Sequence, residues 1–101
     1  MKRIVLLCNQ GMSTSALVKK MRESATAAGC ECEINAYAVD TASDTAAKAD
    51  VILIGPQVRY RLKDIVHLFP DKPVEVIDMI DYGMLNGKRV LDLALKLAAH
   101  E

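Results

Sequence analysis

Apolar and polar positions fall along this chain in blocks that switch between two periods. Ile4-Val5-Leu6-Leu7-Cys8 is wholly apolar and closes on Asn9-Gln10-Gly11, the pattern of a strand buried on both faces. From Thr14 to Gly29 the period becomes helical: Leu17, Val18, Met21, Ala25 and Ala28 form a stripe, with Lys19, Lys20, Glu23 and Ser24 off it. Ser13 or Thr14 can cap the start of this helix and Gly29 its end. Residues 31–39 alternate, with Cys32, Ile34, Ala36 and Ala38 on one face and Glu31, Glu33, Asn35 and Tyr37 on the other, which predicts a half-exposed edge strand. Thr41 to Lys48 reads as a short Ala-rich helix capped by Asp40 or Thr41. Val51-Ile52-Leu53-Ile54, ended by Gly55-Pro56, is a second fully buried strand. Val58, Leu62, Ile65, Val66 and Phe69 then mark an amphipathic helix stopped by Pro70. Val74 to Ile77 is a fourth strand, and Gly87 to His100 a last helix with Val90, Leu91, Ala94, Leu95 and Ala98 inward.

Strands alternating with helices make parallel βαβ units. Right-handed crossovers leave few arrangements, and the two all-apolar strands belong in the centre. The expected architecture is a three-layer α/β domain: a four-stranded parallel sheet of order 2-1-3-4 flanked by helices. No internal repeat, low-complexity tract or linker interrupts it, so residues 1–101 are expected to form a single domain.

Composition narrows the function. Thirteen Lys and Arg balance thirteen Asp and Glu, so a nucleic-acid partner, which would call for a basic excess, is not expected. No apolar run approaches the roughly 20 residues of a membrane span, and Ile4 to Cys8 is too short for a signal-peptide core, which points to the cytoplasm. Three cysteines, an odd number, argue against a disulfide framework.

Position in the fold distinguishes those cysteines. Open parallel sheets bind ligands beyond the carboxyl ends of their strands, where the strand order reverses. In the order 2-1-3-4 that point lies between strands 1 and 3, and Cys8 ends strand 1. Cys30 and Cys32 precede and open strand 2, away from that crevice. Asn9-Gln10-Gly11-Met12-Ser13-Thr14-Ser15 then runs into a helix start, where free N–H groups and the aligned peptide dipoles favour an anion. Gly11 permits a backbone shape that can wrap several N–H donors around one dianion, and the same field favours a thiolate at Cys8. An inert core thiol beside a helix cap is the bland alternative.

The spacing is that of the Cys-x5-Arg-Ser/Thr loop of cysteine phosphatases, with Cys8 as nucleophile and Ser15 in the last place, but Thr14 stands where the arginine would be. Without a guanidinium the loop lacks a bidentate clamp for the transition state, and the chain has no Asp-Pro pair to supply a general acid. Such a loop is suited to accepting a phosphoryl group and keeping it. A cysteine phosphatase or arsenate-reductase-like enzyme is the alternative.

The chain also resembles a known family. Cys8 with Gly11-Met12-Ser13-Thr14-Ser15, then Val18-Lys19-Lys20-Met21-Arg22, Ala49-Asp50-Val51, Ile54-Gly55-Pro56-Gln57, Lys72-Pro73-Val74-Glu75-Val76-Ile77-Asp78 and Tyr82-Gly83 are similar to the IIB component of the lactose/cellobiose/chitobiose class of the bacterial phosphoenolpyruvate-dependent sugar phosphotransferase system (PTS). The likeness runs in order over essentially the whole chain. It implies that Cys8 takes a phosphoryl group from a histidine of a IIA protein and passes it to a sugar held by the membrane-embedded IIC transporter, with no cofactor. It also implies that Gln57 and Tyr82, after strands 3 and 4, lie near the Cys8 loop and contact phosphate or a partner. The chain departs from the commonest form of the motif at Asn9-Gln10, where small residues are frequent.

Other candidates are weaker. Arg59, Arg61 and Lys63 form either a solvated face or a docking surface, and Met12 either an apolar contact or core filling. His67 and His100 lack ligand spacing, so no metal site is expected. Asp40 and Asp50 suggest a response-regulator phosphoacceptor, but no acidic pair follows strand 1 to hold Mg²⁺.

Overall fold

The computed structural model describes residues 1–9 and 12–99, with the side chains of Met12 and Ser13 outside that description. Gln10, Gly11 and His100, all singled out above, lie outside the described residues. Strands β1 (Lys2–Cys8), β2 (Cys32–Ala38), β3 (Val51–Ile54) and β4 (Val74–Val76) form one parallel sheet in the order β2-β1-β3-β4, as the apolar pattern predicts. Helices α1 (Met12–Ala27), α2 (Ala42–Thr45), α3 (Leu62–Leu68), α4 (Met79–Gly83) and α5 (Gly87–Ala99) flank it.

The pleat of β1 divides the core in two. Ile4 and Leu6 face α1 and α5, joining Leu17, Val18, Met21, Val90, Leu91 and Ala94. Val5 and Leu7 face the other way, toward Val39, Ala42, Ala46, Val58 and Ile65. A central strand covered on both faces has no polar side, which is why β1 and β3 carry uninterrupted apolar runs.

Several boundaries differ from expectation, each for a local reason. The first helix begins at Met12, so Ser13 and Thr14 lie inside it rather than capping it. Its far end behaves as predicted. Gly29 adopts φ +68°, and the amides of Gly29 and Cys30 donate to the carbonyls of Thr26 and Ala25, at 3.1 and 2.9 Å. The Ala-rich helix shrinks to a 3₁₀ turn over Val39–Thr41 followed by one α-turn, α2. Neither expected cap forms, because the Thr41 hydroxyl donates back to the Ala38 carbonyl at 2.8 Å and Asp40 pairs with Arg61. After β3, Pro56 opens a 3₁₀ stretch to Arg61 with a non-helical Val58, and the α-helix starts only at Leu62. On so short a helix Ile65 alone is fully buried, and Val66, expected inward, is exposed.

Helix α4 has no counterpart in the sequence reading. The Asp78 carboxylate caps it, accepting from the amides of Ile80 at 2.8 Å and Asp81 at 3.2 Å. Beyond its last turn Leu85 adopts φ +53°, and the Asn86 amide donates to the Asp81 carbonyl at 2.9 Å. This turn carries Tyr82 into the α1–α5 side of the core.

Candidate functional site

Cys8 is the last residue of β1, at the carboxyl end of the sheet and between β2 and β3. The strand order reverses there, where open α/β sheets leave a crevice for ligands. The residue is 4% exposed, and its thiol donates a long, weak hydrogen bond to the Tyr37 carbonyl at 3.8 Å.

Gly55 makes room beside the cysteine. Its amide donates to the Leu7 carbonyl at 2.8 Å, extending the β1–β3 ladder by one step. A Cβ on Gly55 would stand 3.6 Å from Cys8 Cβ and 3.2 Å from Gln57 Oε1. Gln57 is itself exposed, and its Oε1 borders the space left at Gly55.

The first turn of α1 follows Cys8 in the chain. Thr14 is 1% exposed, the single buried polar side chain among the described residues. Its Oγ1 lies 2.6 Å from the Tyr82 hydroxyl, 68 positions away. Thr14 belongs to the segment expected to meet an anion; in the structure its hydroxyl faces inward and is already partnered. Tyr82 does approach the Cys8–α1 segment, through Thr14, while Asn9 and Ser15 are exposed. Gln57 and Tyr82 share a cleft with Arg59, Tyr60 and Met79, so the two residues expected after β3 and β4 are brought together. Sequence reasoning missed the Thr14–Tyr82 pair and Gly55. The signal for Gly55 was available, because a glycine in register next to the strand-1 cysteine means an absent side chain there.

The other candidates fall away from this end. Cys32 pairs in register with Lys2, at the opposite end of the sheet, with its sulfur 3.8 Å from that of Cys30. Burial first, then the hydrogen bond with Cys30 and the charge that Cys30 would carry, push the Cys32 thiol up to about 11. Arg61 is held by Asp40 at 2.7 Å and Asp64 at 3.0 Å, hydrogen bonds that push its guanidinium above the ordinary arginine value. Arg61 is therefore not a free docking cation, whereas Arg59 and Lys63 remain exposed. Asp50 accepts from the Arg3 amide at 2.8 Å at the amino end of the sheet, a structural contact far from any phosphoacceptor position. Among the described residues no group of three His, Cys, Asp or Glu side chains is placed to hold a metal, and no helix is long and apolar enough to cross a membrane.

Comparison with known proteins agrees with this architecture. The family described as "PTS system, Lactose/Cellobiose specific IIB subunit" matches residues 3–93. The chain is 46% identical to the oligo-beta-mannoside-specific EIIB component of Bacillus subtilis (strain 168), over 100% of both chains. It is 39% identical to the galactose-specific EIIB component of Lactococcus lactis subsp. cremoris (strain MG1363), over 95% of each. Its fold superposes on the solution structure of the cellobiose-specific IIB component of Borrelia burgdorferi with a TM-score of 0.83 and 36% identity, covering 98% of this chain and 93% of that one. A parallel sheet of order 2-1-3-4, a cysteine at its switch point and a match running nearly end to end lead to one assignment: the chain belongs to the lactose/cellobiose-specific IIB family of the sugar phosphotransferase system.

Proposed function

We propose that this protein is a phosphoryl carrier in which Cys8 holds the transferred group as an S-phosphate. The Cys8 thiolate attacks the phosphorus of a phosphohistidine on a IIA protein. An S–P bond forms, the P–N bond breaks, and the imidazole leaves and takes up a proton. A hydroxyl oxygen of a sugar held by the IIC transporter then attacks the same phosphorus, the S–P bond breaks, and the hydroxyl proton is released as the thiolate is restored. Residues 1–101 act as a single IIB domain in the cytoplasm, meeting IIC at the inner face of the membrane. The sugar is a β-linked disaccharide such as cellobiose, chitobiose or lactose.

One observation carries the reading. Cys8 ends one of the two central strands at the switch point of the sheet, with residues 9–11 between it and the 16-residue helix α1. The free amides of that helix start are the natural partners of a dianion on the sulfur. In this reading Asn9, Gln10, Gly11, Met12, Ser13, Thr14 and Ser15 form the phosphate-holding segment, mainly through their backbone. In this reading Gln57, whose Oε1 borders the space at Gly55 that Cys8 Cβ also borders, contacts the phosphate or a partner.

The test is reconstitution with phosphoenolpyruvate, enzyme I, the histidine carrier protein and a IIA protein, followed by peptide mass analysis. The phosphoryl increment is expected on the Cys8 peptide alone. Cys8→Ser is expected to abolish transfer and keep the circular dichroism spectrum. Label on any other peptide, or transfer that survives the substitution, overturns the reading.

A further inference from the structure

We infer that the Thr14–Tyr82 hydroxyl pair is a positioning device, which locks the first turn of α1 in the place where its amides receive the phosphoryl group, and that neither hydroxyl is itself a phosphate ligand. The inference rests on the reading of Cys8 as phosphoryl carrier.

Three observations support it. The first is saturation: Thr14 is 1% exposed and its oxygen lies 2.6 Å from that of Tyr82, a short neutral contact away from solvent. The second is leverage. Tyr82 is 5% exposed, and α4, which carries it, is fixed directly after β4 by the Asp78 cap. The pair therefore ties the end of an edge strand to the helix that starts at the sheet's centre. The third is direction. Leu17 and Val18 bury the next turn of α1, but apolar packing is non-directional and tolerates small slides and rotations. A hydrogen bond of this length does not. The backbone close approach of Gly87 to Lys20 restrains α1 only about 9 Å farther along its axis.

Amides that must meet a dianion gain from this, because displacements well under 1 Å degrade a preorganised site. Tyr82→Phe removes the oxygen and keeps the ring in the core. Thr14→Val removes the hydroxyl with little change in volume.

Both variants and the double variant are assayed for the rate of phosphoryl transfer from a phosphorylated IIA protein to Cys8, the lifetime of the S-phosphate, and thermal melting. Each single variant is expected to lose about tenfold in transfer rate, the equivalent of one buried neutral hydrogen bond. The double variant is expected to lose no more than either single, since both remove the same contact. A shorter S-phosphate lifetime should accompany the loss. A Thr14→Val defect far larger than that of Tyr82→Phe would place Thr14 on the phosphate and overturn the proposal. Losses that multiply, or rates that hold while only melting falls, overturn it too. Should the unmutated protein accept no phosphoryl group, the carrier reading is what fails. Alkylation of Cys8 by iodoacetamide at neutral pH then decides the positioning claim: equal slowing in all three variants upholds it, and unchanged rates refute it.

Discussion

Gly87→Ala tests how tightly α1 is clamped. Gly87 opens α5 where that helix lies against α1, and an added Cβ would stand 2.5 Å from the Lys20 carbonyl carbon, 2.6 Å from Lys20 Cβ and 2.6 Å from the Met21 amide nitrogen. Two of those three atoms are backbone and cannot swing aside. Carbon atoms in ordinary contact sit about 3.5–4.0 Å apart, so the helices must separate locally by about 1 Å. A gap of that size forfeits roughly a quarter to a half of each contact's attraction. The contacts at stake are those of Val90, Leu91 and Ala94 with Leu17, Val18 and Met21. Overpacking of this kind costs about 1–3 kcal/mol. The lower unfolded-state entropy of alanine returns about 0.4–1 kcal/mol. The net loss is about 1–2 kcal/mol, or about 4–16 °C in Tm for a chain of this size. Thermal melting by circular dichroism, with a urea titration to show an unchanged m-value, measures it. A variant that melts at or above the wild-type temperature would refute the clamp.

Two further outcomes follow from the geometry. Gly55→Val is expected to slow both alkylation of Cys8 and its acceptance of phosphate by at least about tenfold. The cause is the methyl groups it adds beyond a Cβ already 3.6 Å from that of Cys8; Gly55→Ala should stay near wild type, and a valine variant reacting at the wild-type rate would show the space to be irrelevant. Cys32 keeps its proton to about pH 11 in the fold, whereas its ordinary value is 9.0. Its contribution to stability is therefore full below pH 9 and is lost progressively from there to about pH 11, as the unfolded chain ionises first. Urea midpoints across that window should fall more steeply for the wild type than for Cys32→Ala, and equal slopes would refute the assignment.

What was legible in the sequence was whatever is written in consecutive residues. β1 and β3 announced themselves because a strand covered on both faces can hold no polar side chain, and that property fixed the sheet order. The position of Cys8 at the switch point followed. What stayed hidden was set by contacts distant in the chain or by elements too short to show a period. Helix α4 is five residues long, and no apolar stripe can repeat within it; its one cue was Asp78, an N-cap with no visible helix behind it. Thr14 looked like a cap because it stands near a helix start, and only the fold reveals a tyrosine 68 positions away claiming its hydroxyl. Arg61 could be read as a solvated or a docking charge until Asp40, 21 positions earlier, was brought against it.

If Cys8 is the phosphoryl carrier proposed above, the inward turn of Thr14 also bears on why the loop would store the group rather than hydrolyse it. A cysteine phosphatase places arginine at the position that Thr14 occupies, and its guanidinium must reach the phosphate to clamp the transition state. Here the side chain at that position points into the contact between α1 and α4, where Tyr82 meets it. An arginine there would have to displace a tyrosine that is part of the core. The fold around the loop has thus been built for a short, buried side chain, not merely left without its clamp. In the carrier reading, amides at the helix start hold the dianion in its ground state, where they stabilise the S-phosphate at least as well as any transition state for attack by water. Stabilising both equally brings no acceleration of hydrolysis. The phosphoryl group then leaves quickly only when a partner supplies what this chain lacks: a positioned acceptor oxygen and the groups that polarise it.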